Sequence, residues 1–402
     1  MKTTYLLLCL LGIGSVSGAG QTKQPQKIGD FIESTSYNEH RRNATRSLQY
    51  TPDGDDFVCI NGKNRFTRAL YGSHTAFRLE TSDRPVFAAY TKKNPKHICF
   101  KLQTSGGTVA LDSTEHCESR YTAGRRSYNL FHPSFEGGNL SIATLVLPDK
   151  EGAIWQFNAR NFKGSNPILL ASISEIRNSK LNRNGDMGAD PADSFEAPLQ
   201  PQQLQSCPAQ IDGTLYILLE NQELRTLTTA EGETLFKKAE AARSETASRI
   251  RIETPDPYFN TLGGTLAMAA DGIWDGEVWL HGAIGWRMPL SGWRAAYTGD
   301  VLGWHDRART HFNAYAASQV TEVPNTLPHP AQDSALHLAR SVKKWGTPQY
   351  SNGYICRNPH RNNQMHHYDM NLCYIDELLW HFKWTGDLDY VRQMWPVITR
   401  HL

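Results

Sequence analysis

Apolar and polar residues alternate with a period of two through the first half of the chain. Between Phe57 and Glu220, short runs rich in Val, Ile, Tyr and Phe are separated by Gly, Pro, Asn and Asp, as in strands joined by turns. The run from Phe57 to Ile60, followed by Asn61-Gly62 and the next apolar run, predicts a β-hairpin with a type I′ turn. So many strands without an intervening helical period predict a large antiparallel β-sandwich.

This alternation stops in a polar segment, residues 178–210, which is rich in Asn, Asp, Pro and Gln and predicts a long flexible surface loop. The later stretch "AEGETLFKKAEAARSETASRIRIE" has the Ala, Glu, Lys and Arg content of a helix that is polar around most of its circumference. We expect this helix to connect two domains.

From Asp256 onwards, apolar residues recur every three or four positions, which is typical of amphipathic helices. The segment "TPDP" predicts the start of the first helix, and the short connection "WTGD" predicts that the last two helices form an αα-hairpin. The predicted helices carry, in chain order, Tyr258, Leu262, Leu266 and Ala269; residues 300–317; residues 333–344; Leu372, Ile375, Leu379 and Phe382; and Leu388, Val391 and Met394 after an Asp387 cap. The apolar period still runs at the last residue, so we expect an incomplete ring of helical hairpins.

The N-terminus has the features of a cleaved secretory signal. Lys2 precedes a short apolar run from Leu6 to Ile13, and small residues follow it. The run is too short to span a bilayer, so we predict an exported protein, periplasmic or extracellular, without a membrane span. The predicted organisation is a signal peptide over 1–20, a β-sandwich domain over 21–225, a helical linker over 226–255 and an incomplete helical domain over 256–402.

Composition excludes some classes of partner. The net charge of +2 with 20% charged residues provides no basic surface for nucleic acid or for an anionic membrane. The cysteines after the signal are widely spaced and form no C-x-x-C pair, which favours free thiols over a disulfide scaffold or a zinc ribbon; they are Cys59, Cys99, Cys117, Cys207, Cys356 and Cys373.

Tryptophan is concentrated in one segment of the helical half. Trp155 is the only tryptophan before residue 274, whereas "WLHGAIGWRMPLSGWRAAYTGD" alone contains three. Its glycines and Pro289 are incompatible with one regular helix, so the segment predicts a long loop. Aromatic faces stack on sugar rings while Arg, His and Asp bind hydroxyl groups, so the loop is a candidate glycan site. The alternative is that these rings fill space between helices.

A second polar and aromatic loop, "YSNGYICRNPHRNNQMHHYDMN", contains several histidines. No pair of histidines at i, i+4 with an acid is present, so a sugar-binding or structural loop is favoured over a metal site. Glycosidic hydrolysis needs two carboxyl groups, one protonated and one ionised. Candidates in these loops are Asp271, Asp275, Glu277, Asp300, Asp306 and Asp369, of which Asp300 and Asp369 serve equally well as helix caps; Asp376, close to an apolar stripe, is a weaker choice.

Two long stretches, "YFNTLGGTLAMAADGIWDGEVWLHGAIGWRMPLSGWRAAYTGDVLGWHDRA" and "GYICRNPHRNNQMHHYDMNLCYIDELLWHFKWTGDLDYVRQMWP", resemble the six-hairpin glycosidase-like superfamily. They are most similar to a poorly characterised secreted branch from Bacteroidota, and "NGKNRFTRALYG" with "RPVFAAYT" resembles the N-terminal β-domain of that branch. The resemblance implies an N-terminal antiparallel β-sandwich, a helical linker and a partial (α/α)6 toroid of helical hairpins, whose loops form a sugar-binding funnel.

The resemblance also implies residue roles. Within this chain the candidate catalytic carboxylates are Asp275, Asp300 and Asp369, although in related glycosidases the general acid and base tend to come from later helices, beyond or close to Leu402. The implied substrate-binding residues are Trp274, His281, Trp286, Arg287, Trp293, Arg294, Tyr297, His367 and Tyr368. No cofactor and no metal is implied, and the expected partner is an oligosaccharide or polysaccharide.

The sequence therefore predicts a secreted glycoside hydrolase, or a truncated piece of one, that acts on a plant or host glycan by carboxylate acid/base catalysis. A noncatalytic glycan-binding protein is the first alternative. A polysaccharide lyase is the second, with Tyr297 or Tyr368 abstracting a proton together with His367 and Arg294.

Overall fold

Antiparallel strands occupy the first part of the chain. The computed structural model describes residues 50–72, 77–90, 95–163, 166–177, 195–282, 288–321, 332–333, 338–339, 353–361 and 368–402, with 332–333, 338–339 and 368–369 described by their backbone alone. Short 3-10 helices lie at Leu111–Ser113 and Pro133–Phe135. The strands of this part are β1 (Thr51–Asp53), β2 (Asp56–Ile60), β3 (Arg68–Tyr71), β4 (Arg78–Thr81), β5 (Val86–Tyr90), β6 (Lys96–Thr104), β7 (Gly107–Ala110), β8 (His116–Thr122), β9 (Arg125–Phe131), β10 (Asn139–Val146), β11 (Gly152–Arg160), β12 (Ile168–Glu175), β13 (Gln203–Gln210), β14 (Thr214–Glu220) and β15 (Glu223–Leu227).

These strands form two antiparallel sheets. The eight-stranded sheet has the order β1-β2-β8-β9-β10-β11-β14-β15. The seven-stranded sheet has the order β13-β12-β6-β5-β4-β3, with β7 paired to β6. Along β8 and β9, buried residues alternate with more exposed ones, as the period of two predicts. Helices follow the strands, so the predicted order of antiparallel sheets and then helices is confirmed.

The core between the sheets is aromatic. Trp155 from the eight-stranded sheet is fully buried, and its ring makes edge contacts with Phe87 and Phe100 of the other sheet at centroid distances of 5.5 and 5.6 Å. Edge-to-face pairs of this kind add about 0.5–1.5 kcal/mol each to the gain from burial alone. These contacts hold the two sheets face to face.

The predicted hairpin at Asn61-Gly62 is wrong. β2 pairs with β1 and β8 in one sheet, whereas β3 pairs with β4 in the other, so the chain crosses between the sheets after β2. Asn61 has a positive φ of 51°, but a side chain on Gly62 would meet Oδ2 of Asp83 at 2.5 Å. The glycine therefore allows close packing against Asp83 and does not form a type I′ turn.

The predicted loop over 178–210 is wrong at its C-terminal end. Residues 203–210 form β13, which pairs with β12 at the edge of the seven-stranded sheet, while 178–194 lie outside the described residues. Pro208 is tolerated because an edge strand has one side without a neighbouring strand. The strand is polar because much of it is exposed, and this polarity hides the apolar period that identifies a strand.

Among the described residues after 228, the regular structure is helical apart from two short strands, β16 (Gln332–Asp333) and β17 (Leu338–Ala339). Side chains cap several of them: Thr228 and Glu231 form a capping box, and Asp387 accepts hydrogen bonds from the backbone N–H groups of Asp389 and Tyr390. The helices are α1 (Thr229–Ala247), α2 (Pro257–Asn260), α3 (Leu262–Gly272), α4 (Tyr297–Val301), α5 (His305–Ala316), α6 (Tyr368–Thr385) and α7 (Leu388–His401). The helix predicted after the strands, the Asp387 cap and the αα-hairpin of α6 and α7 are confirmed.

Two helical predictions need correction. Leu266, assigned to the buried face of α3, is 53% exposed, because α3 packs through glycines: a side chain on Gly263 would lie 2.7 Å from the carbonyl oxygen of Ile250. The helix predicted over 333–344 is absent at the residues that the structure describes there, since β16 pairs with β17. The rest of that segment lies outside the described residues.

Glycines bring the helices close to the sheets. A side chain on Gly232 in α1 would clash with the ring of Tyr216 in β14, and one on Gly272 in α3 would clash with the ring of Tyr71 in β3. Among the described residues, no helix has the length and apolarity to cross a membrane. The six cysteines from Cys59 to Cys373 are free thiols, as predicted.

Candidate functional site

The tryptophan-rich segment between α3 and α4 is an irregular loop. Isolated β-bridges join Trp274 to Trp279 and Leu280 to Pro289, and the backbone N–H of His281 donates to the Met288 carbonyl at 2.9 Å. Its described residues, 273–282 and 288–296, contain no helix. The predicted loop is thus confirmed over those residues, and its backbone is fixed by a few hydrogen bonds.

Some of the tryptophans are structural. Trp274 is 3% exposed, its ring centroid lies 4.6 Å from that of buried Trp279, and both belong to the hydrophobic core of the helical part. Protein covers the faces of Trp274 in this structure, so the ring predicted to bind a sugar is inaccessible here. The reason is packing: α3 consists largely of small residues, and α5 contributes Ala308 and Ala314 to the same core, which leaves room for large rings from the loop.

Trp293 is different, with 45% of its surface exposed. Its ring lies against the half-buried ring of His281, with centroids 4.1 Å apart, so the histidine supports one side of the indole. The next residue, Arg294, is exposed as well. An exposed indole backed by a second ring presents a flat apolar face with polar groups beside it, which is the arrangement that sugar stacking requires.

The backbone around Trp293 is held tightly against α6. A side chain on Gly292 would lie 1.9 Å from the Met370 carbonyl oxygen and 2.6 Å from the backbone nitrogen of Tyr374, so only glycine fits. Arg294 has a φ of 64°, an unfavourable conformation for a residue with a side chain. Non-glycine residues in this conformation cost on the order of 1 kcal/mol and are enriched at functional sites.

Beyond Arg294, the loop meets two consecutive carboxyl groups of α6. The Tyr297 hydroxyl at the start of α4 donates a hydrogen bond to Oδ2 of Asp376, which is exposed. Burial and this acceptor raise the pKa of the Tyr297 phenol. The next residue, Glu377, is 2% exposed, and neither of its carboxyl oxygens has a hydrogen-bond partner among the described residues.

Burial raises the pKa of Glu377 to about 8, because a carboxylate loses its hydration in this position. Arg294 acts in the opposite direction: its guanidinium charge and its nearby backbone N–H, which does not reach hydrogen-bond geometry with either carboxyl oxygen, lower that pKa, while the charge of Asp376 raises it. The result is a carboxyl group that is mostly protonated at neutral pH, directly behind the exposed loop of Trp293 and Arg294.

Asp300 lies at the centre of a separate group that it forms with two histidines. Its carboxylate is 4% exposed and accepts hydrogen bonds from Nδ1 of His305 at 2.7 Å and from Nδ1 of fully buried His381 at 2.9 Å. It lies inside α4, so the expectation that it caps a helix is wrong. Because protein covers it, it is unavailable to a sugar in this conformation, and its clearest role is to link α4 to α6.

Three of the other predicted carboxylates have structural partners. Asp275 is exposed, but its Oδ1 accepts the backbone N–H groups of Glu277 and Val278 at 3.0 and 2.7 Å and thereby stabilises a turn. Asp271 pairs with Arg307 at 2.7 Å. Glu277 pairs with His360 at 2.6 Å, which ties the first loop to the second one.

The structure therefore brings together four of the predicted substrate-binding residues, His281, Trp293, Arg294 and Tyr297. Trp274 and Asp300 are buried, and Asp275 is held in a turn. Trp286, Arg287 and His367, together with the side chains of Tyr368 and Asp369, lie outside the described residues. Over the described part of the chain, no group of three or more His, Cys, Asp or Glu side chains has the arrangement of a metal site.

Glu377 is the residue that sequence reasoning missed, and Asp376 was ranked too low. A signal was present: Glu377 and His381 are four residues apart, on the helix face that carries the buried apolar residues Tyr374 and Leu378. Charged residues on the buried face of a helix are rare without a partner and are enriched at functional sites. The apolar period around them obscured this signal.

Comparison with known families leaves the function open. A family model described as a domain of unknown function, DUF4450, matches residues 95–250, which run from β6 to just beyond α1 and make up less than half of the chain. The match ends before the loop of Trp293 and α6. No curated protein matches the chain.

Proposed function

We propose that the protein is an exported glycoside hydrolase, or a piece of one, that binds an oligosaccharide or polysaccharide at Trp293. One observation carries this proposal: an exposed indole, backed by His281 and flanked by Arg294, lies next to a carboxyl group, Glu377, that burial keeps protonated at neutral pH. Cleavage of a glycosidic bond needs a surface that binds the sugar ring and a protonated carboxyl group that can donate to the leaving oxygen. Trp293 would supply the first and Glu377 the second. The resemblance to six-hairpin glycosidases supports the same function.

In this mechanism Glu377 is the general acid. A raised pKa allows a carboxyl group to carry a proton at neutral pH and to donate it to the leaving oxygen of the sugar. The backbone of Arg294 lies against Glu377, so donation requires this segment to move away from the carboxyl group. Asp376, exposed and bonded by Tyr297, is the nearest candidate for the ionised partner. The helices α3 to α7 would then be the first part of an (α/α)6 toroid.

A noncatalytic glycan-binding protein is the second candidate, and the burial of the carboxyl groups favours it. Glu377 and Asp300 are both nearly inaccessible, and Asp275 is committed to a turn. The lyase alternative is weaker for Tyr297, because a tyrosine base needs a lowered pKa, whereas burial and Asp376 raise the pKa of this phenol.

The deciding experiment measures glycan binding by calorimetry and hydrolysis by the release of reducing ends, on a panel of plant and host polysaccharides. For a hydrolase, Glu377→Gln abolishes hydrolysis but retains binding, and Trp293→Ala weakens binding. Trp395→Ala is the matched control, because Trp395 is also about half exposed (53%) but lies on α7. Binding without turnover by the wild type would establish the noncatalytic alternative, and the absence of binding to every glycan would refute both.

A further inference from the structure

Arg294 differs from three arginines of the helical part that form ion pairs. Arg307 pairs with Asp271, Arg309 with Asp387 and Arg392 with Asp389, all at 2.7 Å or less. The exposed Arg294 guanidinium makes no ion pair or hydrogen bond with any residue that the structure describes. An unpaired guanidinium in a fixed, strained loop is available to a ligand.

The carboxyl groups near Arg294 leave its charge unneutralised. Glu377 is protonated at neutral pH, because its burial outweighs the effect of Arg294 on its pKa. Asp376 forms its hydrogen bond with Tyr297 and no ion pair with Arg294. On the neighbouring helix α5, the ionisable group that faces Glu377 is Tyr315. Burial raises the pKa of its phenol, so Tyr315 stays protonated and carries no charge. A positive charge therefore remains on the surface beside Trp293.

The side chain next to Arg294 restricts the shape of an anionic ligand. The indole of Trp293 accepts a flat apolar face, and the guanidinium fork matches the two oxygens of a carboxylate. In a hexuronic acid the carboxylate is attached directly to the sugar ring, so ring and carboxylate can reach two consecutive residues at once. A neutral hexose satisfies the indole but leaves the guanidinium without a partner.

We propose that the glycan bound at Trp293 is acidic, with a uronic acid ring on the exposed indole and its carboxylate on the guanidinium of Arg294. This inference rests on the proposed glycan-binding function and specifies the substrate class of the same site. A hydrogen bond to a charged group contributes about 1.5–3 kcal/mol, which corresponds to a preference of at least about tenfold for the acidic sugar.

The test uses the full chain and calorimetric titration with oligosaccharides of homogalacturonan, alginate and heparosan. Each is compared with the same oligosaccharide after its carboxyl groups have been reduced to hydroxymethyl groups. We expect the wild type to bind at least one acidic oligosaccharide at least about tenfold more tightly than its reduced form. Arg294→Gln should remove that preference by weakening binding of the acidic form much more than binding of the reduced form, and Arg294→Lys should retain part of the preference.

Two further variants separate this inference from the proposed function. Trp293→Ala should weaken binding of both forms, and Arg251→Gln, at a site whose side chain is 85% exposed, is the control for loss of a surface charge. Equal binding of acidic and reduced forms, or an unchanged preference in Arg294→Gln, overturns the acidic-glycan inference and leaves glycan binding standing. No binding of any form by the wild type overturns both.

Discussion

The buried carboxyl group of Glu377 makes a prediction that needs no knowledge of the substrate. Its pKa is about 8 in the folded protein, compared with an ordinary value of 4.5. Between these two values the folded state binds a proton that the unfolded state has released, so stability must fall as the pH rises. The perturbation is Glu377→Gln, which keeps the shape of the side chain but removes its titration.

The magnitude follows from the size of the pKa shift. Each unit corresponds to about 1.4 kcal/mol, so the shift from 4.5 to about 8 costs the wild type roughly 5 kcal/mol over that pH window. The stabilisation is fully present below about pH 4.5 and is lost as the pH rises towards the folded-state pKa. The amide of the variant has buried N–H donors, which cost about 1–3 kcal/mol at every pH. The variant should therefore be less stable than the wild type in acid and more stable in alkali.

The assay is the free energy of unfolding from denaturant titration, measured at several pH values for both proteins. The difference between wild type and Glu377→Gln should change by roughly 5 kcal/mol across the window. Glu223→Gln, the same substitution at an exposed position of β15, is the control and should give a curve parallel to that of the wild type. Parallel curves for the wild type and Glu377→Gln would show that the carboxyl group is not held protonated, and the proposed general acid would be lost with it.

Three other predictions test the packing around the site by thermal denaturation and circular dichroism. Trp274→Ala should cost about 3–5 kcal/mol because the ring is buried, whereas Trp293→Ala, at a half-exposed ring, should cost about 1 kcal/mol or less; equal costs would contradict the assignment of core and surface. Gly292→Ala should prevent the loop from docking on α6 and leave little folded protein, since the new Cβ would lie 1.9 Å from the Met370 carbonyl oxygen; a stable variant would refute that contact. Asp387→Ala should cost about 1 kcal/mol by removing the N-cap of α7, and no change in melting temperature would argue against the cap.

The sequence predicted the structure correctly where the backbone conformation depends on residues that are close together in the chain. The period of two identified most strands of both sheets, and Asp387 marked the start of α7 because its carboxylate satisfies N–H groups only a few residues away. Glycines and Pro289 indicated that the tryptophan-rich segment is a loop, since they disfavour a regular helix. Local rules failed at β13, where exposure of an edge strand removed the apolar period, and at Gly62, where the glycine serves a distant contact with Asp83.

The candidate site itself depended on contacts between distant residues. Composition alone predicted a stacking surface in the tryptophan-rich loop, and Trp274 and Trp293 looked alike in it. Only packing distinguishes them, because one ring fills the space between α3 and α5 while the other lies on the outside against His281. No sequence rule gives that difference, since it depends on how much volume the neighbouring helices leave free.

The sequence by itself determined the order of sheets and helices, the irregular loop and the residue types that suit a sugar. The tertiary structure decided which of those residues are accessible and which carboxyl group keeps its proton. In the sequence, Glu377 stands out only as an acid among apolar residues. Its pKa is set by the removal of water when the loop of Gly292 and Arg294 covers α6. Hydration is a property of the surrounding fold, so the chemistry of this carboxyl group emerges only when the chain is packed.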